Sequence, residues 1–207
     1  MKTKIVFIEG NISSGKTTLI NALKDKYTVY EEPLEEWLTE YKLGDRNILE
    51  LFYSNMRKYG FKFEIMSMVS RFNQFIRALT ELNNDNIIFI ERSYNSCRRV
   101  FAQNLYNEGL LDELEWLIYI RAHRMFSQLM EMVLRDYCVS TVYIRTSPDE
   151  CFKRKIGRDR IEEADVAPKY FSQLHDLHDQ WLMETAIIIN GDKKGDEVLR
   201  EVLSKST

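Results

Sequence analysis

Short, continuously apolar runs alternate along this chain with longer stretches whose apolar positions recur every three or four residues. The first run, Lys4-Ile5-Val6-Phe7-Ile8-Glu9, is β-branched and aromatic and predicts a buried strand. The segment Thr18-Leu19-Ile20-Asn21-Ala22-Leu23 predicts the opening turns of a helix. Further strands are predicted over Tyr27 to Glu31, Ile87 to Ile90, Val139 to Ile144 and Ala186 to Ile189. Ile87-Ile88-Phe89-Ile90 is apolar without a break, as a central parallel strand covered on both faces should be. Helices are predicted over Asn47 to Leu82, with Gly60 as the point of interruption, then Asn95 to Glu108, Asp112 to Arg135 and Asp196 to Ser204. There is no internal repeat, low-complexity tract or Pro/Gly/Ser-rich linker. The alternation predicts an α/β fold, a five-stranded parallel sheet wrapped by helices, as one domain over residues 1–207.

Composition narrows the partners. At 207 residues and 44% hydrophobic content the chain can bury a substantial core. A net charge of −3 argues against a nucleic-acid polyanion as main partner. No apolar run reaches membrane-spanning length, so no membrane partner is expected. The N-terminus leads directly into a strand with no signal-peptide pattern. Cys97, Cys138 and Cys151 form no CxxC pair, and this odd, sparse count suits a reducing, cytoplasmic compartment. His175 and His178 lie one helical turn apart beside Asp176 and Asp179, with no third ligand of suitable spacing. They read as a solvated helix face.

One motif changes the picture. Gly10-Asn11-Ile12-Ser13-Ser14-Gly15-Lys16-Thr17 matches G-x-x-x-x-G-K-[ST], and it lies between a predicted strand and a predicted helix. In this P-loop setting backbone N–H groups converge on phosphate oxygens and the helix dipole adds favourable potential. Lys16 supplies a point charge for the β/γ-phosphates, and the Thr17 hydroxyl is placed to ligate Mg²⁺. The chain is expected to bind a nucleoside triphosphate. In open parallel sheets ligands lie beyond the C-terminal strand ends. That rule adds Glu31-Glu32-Pro33, Glu91-Arg92-Ser93 and the residues after Ile144 as candidate site segments.

Four segments in order carry a family resemblance: residues 10–18, Glu32-Pro33-Leu34-Glu35-Glu36-Trp37, Glu91-Arg92-Ser93, and the arginine-rich stretch Arg154 to Glu163. Ser70-Arg71 and Phe101-Ala102-Gln103-Asn104-Leu105-Tyr106 fit the intervening spacing. With these, the chain resembles the deoxynucleoside kinases related to deoxycytidine, deoxyguanosine and mitochondrial thymidine kinases, over nearly its whole length. The resemblance implies ATP-dependent phosphorylation of a deoxynucleoside 5′-hydroxyl on a P-loop NTPase fold. It implies that Glu32 is the general base, that Arg92 holds Glu32 and the transferred phosphoryl in line, and that Glu91 completes the Mg²⁺ site with Thr17. Gly10 to Thr18 would hold ATP, with Arg154, Arg158 and Arg160 on a lid over about residues 154–166. Asn190-Gly191-Asp192 matches the loop around the adenine of ATP. Tyr53 and Glu163 match the pair that holds the sugar 3′-hydroxyl, Phe63 and Phe101 the aromatics that sandwich the base, and Trp37 and Ile12 other pocket walls. Members usually dimerise through the region of Leu110 to Met132, whose apolar content exceeds one sheet-facing stripe, so a homodimer is expected. The alternatives on the same residues are a nucleoside monophosphate kinase of the thymidylate kinase type and a structural subunit that has lost catalysis.

The base-reading positions depart from the family. Its usual glutamine is Glu64 here. Arg71 is retained on the same helix face, and the acid that often accompanies that arginine is replaced by Cys97. An ionised glutamate only accepts hydrogen bonds. It suits the adjacent N1–H and N2 amino donors of guanine, with Arg71 free to donate to O6 or N7. The expected preference is purine, deoxyguanosine ahead of deoxyadenosine. A Glu64–Arg71 ion pair is the alternative reading of the same two residues.

Overall fold

The structure, a computed structural model, describes residues 2–81 and 87–206. Its centre is a parallel five-stranded sheet built from β1 (Lys4–Gly10), β2 (Thr28–Tyr30), β5 (Ile87–Glu91), β6 (Cys138–Arg145) and β7 (Ile187–Asn190), in the order β2-β5-β1-β6-β7. A small antiparallel hairpin, β3 (Lys42–Leu43) with β4 (Arg46–Asn47), stands apart from it. Helices α1 (Lys16–Leu23), α2 (Leu34–Thr39), α3 (Ile48–Ser54), α4 (Met56–Thr80), α5 (Tyr94–Ser96), α6 (Gln103–Asn107), α7 (Glu113–Leu134), α8 (Pro148–Arg158), α9 (Pro168–Leu182) and α10 (Gly195–Ser206) surround the sheet. A π-helical turn over Cys97–Ala102 joins α5 to α6, and a 3₁₀ turn over Ile161–Glu163 follows α8.

The uninterrupted apolar run of β1 follows from burial on both faces. Val6 and Ile8 point to a core shared with α1 and α10, where Leu19, Ile20, Leu23, Val198 and Val202 meet Phe89, Val142 and Ile144. Ile5 and Phe7 point the other way, to Phe75, Ala78 and Met130 of α4 and α7. A second core, away from the sheet, gathers Trp37, Phe52, Phe63, Met68, Leu105 and Tyr119 from α2, α3, α4, α6 and α7. Register sets the functional edge: Ile8 is level with Glu91, and Gly10 with Ile144. The ends of β5 and β6 therefore flank the start of the glycine loop.

Strand positions agree with the sequence reading to within one or two residues. Three helical expectations differ. The predicted Asn47-to-Leu82 helix breaks at Asn55, not Gly60, and its Leu82 end lies outside the described residues. Asn55 leaves helical geometry, takes the Leu51 and Phe52 carbonyls with its N–H, and caps α4 by accepting from Lys58 N. Gly60 lies inside α4, where an added Cβ would come within 3.1 Å of Leu105 Cδ1. Second, α2 and the β3–β4 hairpin have no counterpart in the sequence reading. Third, His175 and His178 are not a solvated face. His178 is fully buried, its Nδ1–H donates to Leu174 O at 2.6 Å, and its ring stacks on Tyr143. Burial pushes its pKa well below the usual histidine value, so it packs as a neutral ring.

Candidate active site

The loop after β1 folds as its glycines dictate. A Cβ at Gly10 would lie 2.7 Å from Ile144 O and 2.7 Å from Ser14 Oγ, so only glycine lets the loop turn against β6. Gly15, at φ 101°, holds a left-handed conformation immediately before α1. Lys16 is nearly buried, and its Nζ donates to Asn11 O at 2.6 Å and Gly10 O at 3.2 Å. Burial, with Arg92 nearby, lowers its pKa to about 8 despite the Glu91 and Glu32 charges. Asn11 braces the loop by donating to Phe171 O at 2.9 Å.

Next to the loop, Thr17 Oγ1 donates to Glu91 Oε1 at 3.1 Å. Arg92 follows with φ 62°, an uncommon conformation for a side chain of this size. Two interactions hold it there. Arg92 N donates to Ile8 O at 3.0 Å, and Glu9 Oε1 accepts from both Ser93 N and Ser93 Oγ at 2.7 Å. Glu9 was missed by sequence reasoning, although a carboxylate ending an otherwise apolar strand was its signal. It is fully buried, and desolvation raises its pKa against the pull of Arg92 and Ser93.

Glu32 stands at the end of β2, where it pairs with Arg71 Nη2 and lies 3.3 Å from Arg92 Nε. Burial alone would raise its pKa, but Arg71, Arg92 and Lys16 override that and hold it at about 2. Arg71 spends its other Nη on Cys97 Sγ at 2.7 Å and lies over the Trp37 ring. Glu64 is thereby left out. It is 1% exposed, and among the described residues neither carboxyl oxygen has a hydrogen-bond partner. The Glu64–Arg71 ion pair weighed from sequence does not form, because Arg71 turns to Glu32 and Cys97. Desolvation raises the Glu64 carboxyl to about 8, with Arg71 pulling the other way.

Over the loop lies α8. Arg154 donates to Ser14 O at 3.2 Å and Gly191 O at 3.0 Å, tying it to the glycine loop and to the turn after β7. Arg158 and Arg160 both pair with Glu163, which is 3% exposed.

These parts enclose one cavity of about 410 Å³. Its wall is formed by residues 12–18 with Arg154, Arg158 and Arg160, by Glu32, Glu91 and Arg92, and by Trp37, Tyr53, Phe63, Glu64, Arg71, Phe101 and Glu163. Four expected contacts are not on its wall. Gly10 and Asn11 support the loop from behind, Cys97 is buried beneath Arg71, and Asp192 accepts from Ser147 N and Oγ. Tyr170, Phe52, Leu49 and Leu34 also line the cavity and were missed. Tyr170 had a signal in the apolar spacing of Tyr170, Phe171, Leu174, Leu177 and Leu182 after Pro168.

A glycine loop feeding a helix N-terminus at the edge of this parallel sheet, with an arginine-bearing helix across it, defines a P-loop phosphotransferase. The deoxynucleoside kinase family profile matches residues 6–205. A probable deoxycytidine kinase of fowlpox virus (strain NVSL) is 37% identical, covering 91% of this chain and 79% of its own. Deoxycytidine kinase of Bos taurus is 30% identical, covering 92% and 80%. A mitochondrial deoxyguanosine kinase of Xenopus laevis is 31% identical, covering 88% and 74%. The chain belongs to the deoxynucleoside kinase family.

Proposed function

We propose that this protein, as one kinase domain over residues 1–207, transfers the γ-phosphoryl of ATP to the 5′-hydroxyl of a deoxynucleoside and releases the monophosphate. The observation that carries this reading is Glu32. It lines the same cavity as the glycine loop and the aromatic side chains, and two arginines, Arg71 and Arg92, approach its carboxylate. A carboxylate held at about 2 is a weak base at the outset. Its work is to stay ionised and accept the 5′-hydroxyl proton as the oxygen bonds to phosphorus, when that proton becomes acidic. Arg92, fixed by its strained backbone, aligns Glu32 with the transferred group. Lys16 and the lid arginines neutralise developing charge, which is most of what phosphoryl transfer asks of a protein. Thr17 and Glu91 offer the few hard oxygens with which Mg²⁺ is usually held beside substrate phosphates. When bound there, Mg²⁺ would supply positive charge to offset that of the phosphate oxygens. Tyr53 and Glu163 hold the sugar, Phe63, Phe101, Trp37 and Ile12 wall the base, and Asp192 orders the adenine loop from outside the cavity.

For the base, guanine comes first and adenine second. The two unpartnered Glu64 oxygens match N1–H and the N2 amino group, and Arg71 Nε, also unpartnered, can reach O6 or N7. With its pKa at about 8, Glu64 is about one-tenth ionised at pH 7, so guanine binding must first meet a cost of about 1.4 kcal/mol. Hydrogen bonds to a charged group contribute about 1.5–3 kcal/mol each, which exceeds that cost. A cytosine reading follows from the protonated form of the same side chain. The same burial presents a neutral acid at pH 7, with one donor and one acceptor for cytosine N3 and N4. A second copy of the chain is the proposed oligomeric partner, and a reducing intracellular compartment the proposed location. Among the described residues the cysteines are free, and no helix is long and apolar enough to cross a membrane.

The test is steady-state phosphorylation of all four deoxynucleosides and their monophosphates with ATP and Mg²⁺. Deoxynucleosides should be the acceptors, with deoxyguanosine ahead in wild type and not in Glu64→Gln. Lys16→Ala should lower kcat by about 10²-fold or more. Preferential use of monophosphates, or full activity in Lys16→Ala, overturns the reading.

A further inference from the structure

Glu64, on α4 one residue after Phe63, lines the cavity beside the aromatic side chains Phe63, Trp37 and Phe101. Three facts about it are independent of any substrate. The side chain is sealed from solvent, both its oxygens lack partners among the described residues, and the nearest cation is already committed elsewhere. The titratable groups acting on it are Arg71 from the same helix, Cys97 from the π turn, Tyr119 from α7 and Tyr170 from α9. None of these neutralises it. Cys97, Tyr119 and Tyr170 are all held protonated by burial, and Arg71 faces Glu32. Ser67 Oγ donates to the Glu64 backbone carbonyl and so offers its hydrogen away from the carboxyl group.

A carboxyl group in this position presents one of two patterns to a base edge. Neutral, it is one donor beside one acceptor; ionised, it is two acceptors. Cytosine and adenine each show a ring-nitrogen acceptor beside an amino donor, which complements the neutral form only. A carboxylate facing that ring nitrogen sets lone pair against lone pair. With Arg71 Nε, itself unpartnered, donating to guanine O6, the remaining N1–H and N2 amino donors give both orphan oxygens a partner only when the proton has left. A glutamine here could present neither two acceptors nor a change of pattern.

We infer that Glu64 reads the base through its own proton, taking cytosine or adenine deoxynucleosides as the neutral acid and guanine deoxynucleoside as the carboxylate. This rests on the deoxynucleoside kinase reading above and replaces a fixed base preference by one that moves with pH. Guanine binding releases the Glu64 proton to solvent, whereas cytosine binding retains it or takes one up. Carboxyl protonation near pH 8 places the exchange within an accessible range.

The measurement is kcat/KM for deoxyguanosine and deoxycytidine on the same enzyme from about pH 6 to about pH 8.5. Both values refer to the same free enzyme, so titration of Lys16 or any other shared group cancels in their ratio. If each base uses one form of Glu64, the ratio rises about tenfold per pH unit. The deoxyadenosine-to-deoxycytidine ratio stays flat. Glu64→Gln, which keeps the shape of the side chain, makes the guanine-to-cytosine ratio independent of pH. Calorimetry without ATP, in two buffers of different ionisation enthalpy, should show net proton release at pH 7 for deoxyguanosine and none for deoxycytidine. A wild-type ratio that changes less than twofold across the range, or equal proton counts for the two nucleosides, overturns the inference while leaving the kinase reading intact. Failure to phosphorylate any deoxynucleoside at any pH overturns the kinase reading itself.

Discussion

Glu64 and Glu32 line the same cavity, and their carboxyl groups shift in opposite directions. Glu32 is depressed to about 2 by its arginines, so the stability it contributes is present above the ordinary value of 4.5 and is lost as pH falls towards 2. Glu64 is raised to about 8 by burial. Its folded form favours the proton, so the contribution it makes is full below 4.5 and is lost as pH rises through 8. Glu64→Gln should therefore unfold like wild type in urea below pH 4.5 and be more stable than wild type at pH 8.5, by about a few kcal/mol at most. Equal stability of the two proteins at pH 8.5 would mean that the carboxyl group is solvated after all. The departure at position 64 was legible in the sequence as a glutamate on the helix face of Arg71. Its isolation was not. Arg71 could have turned to either glutamate, and the choice is made by the loop after β2, which brings Glu32 to Arg71 from 39 residues away in sequence. The strained Arg92 and its brace through Glu9 and Ser93 escaped for the same reason.

Elements with strong local signals were legible almost to the residue. Asp112, where the sequence reading starts α7, closes a capping box with Glu115, whereas the start of α8 at Ser147 and Pro148 was not read. The helix α9 was obscured because histidines fill two of its inward positions, where a polarity pattern reads them as solvated. On α7 the inward side is taken by Tyr119, His123 and Met130, which are buried. Its opposite face exposes Leu114, Leu117, Ile118, Met125, Leu129 and Met132, and helical spacing places them in one stripe along the helix. An apolar stripe of that length on a water-facing helix is the ordinary mark of an interface. Light scattering should give twice the chain mass in solution, and Leu117→Glu with Leu129→Glu should give the single chain without loss of the folded helix signal. A wild-type protein that stays monomeric at micromolar concentration would remove the proposed homodimer.

At the scale of the whole molecule, sheet order explains why one cavity serves two ligands. β1 sits between β5 and β6, so the glycine loop, Glu91-Arg92 and the turn into α8 open on the same edge. The second core of α2, α3, α4 and α7 closes the far side. Glu163 lines that cavity and is bound by Arg158 and Arg160, the arginines of the proposed lid. On the proposed reading, a sugar hydroxyl that donates to Glu163 would loosen the carboxylate's hold on those arginines, and a triphosphate that draws the arginines away would leave the carboxylate in want of a donor. Each ligand would then prepare the site for the other, and linkage requires the effect to be equal in both directions. The dissociation constant of a non-hydrolysable ATP analogue should fall in the presence of saturating deoxynucleoside, and that of the deoxynucleoside by the same factor in the presence of the analogue. Glu163→Gln should erase most of that factor, and wild-type affinities indifferent to the second ligand would refute it. With that factor measured, one carboxylate bound by two arginines would make the cavity a single cooperative device, in which the cell's supply of either substrate sets the enzyme's appetite for the other.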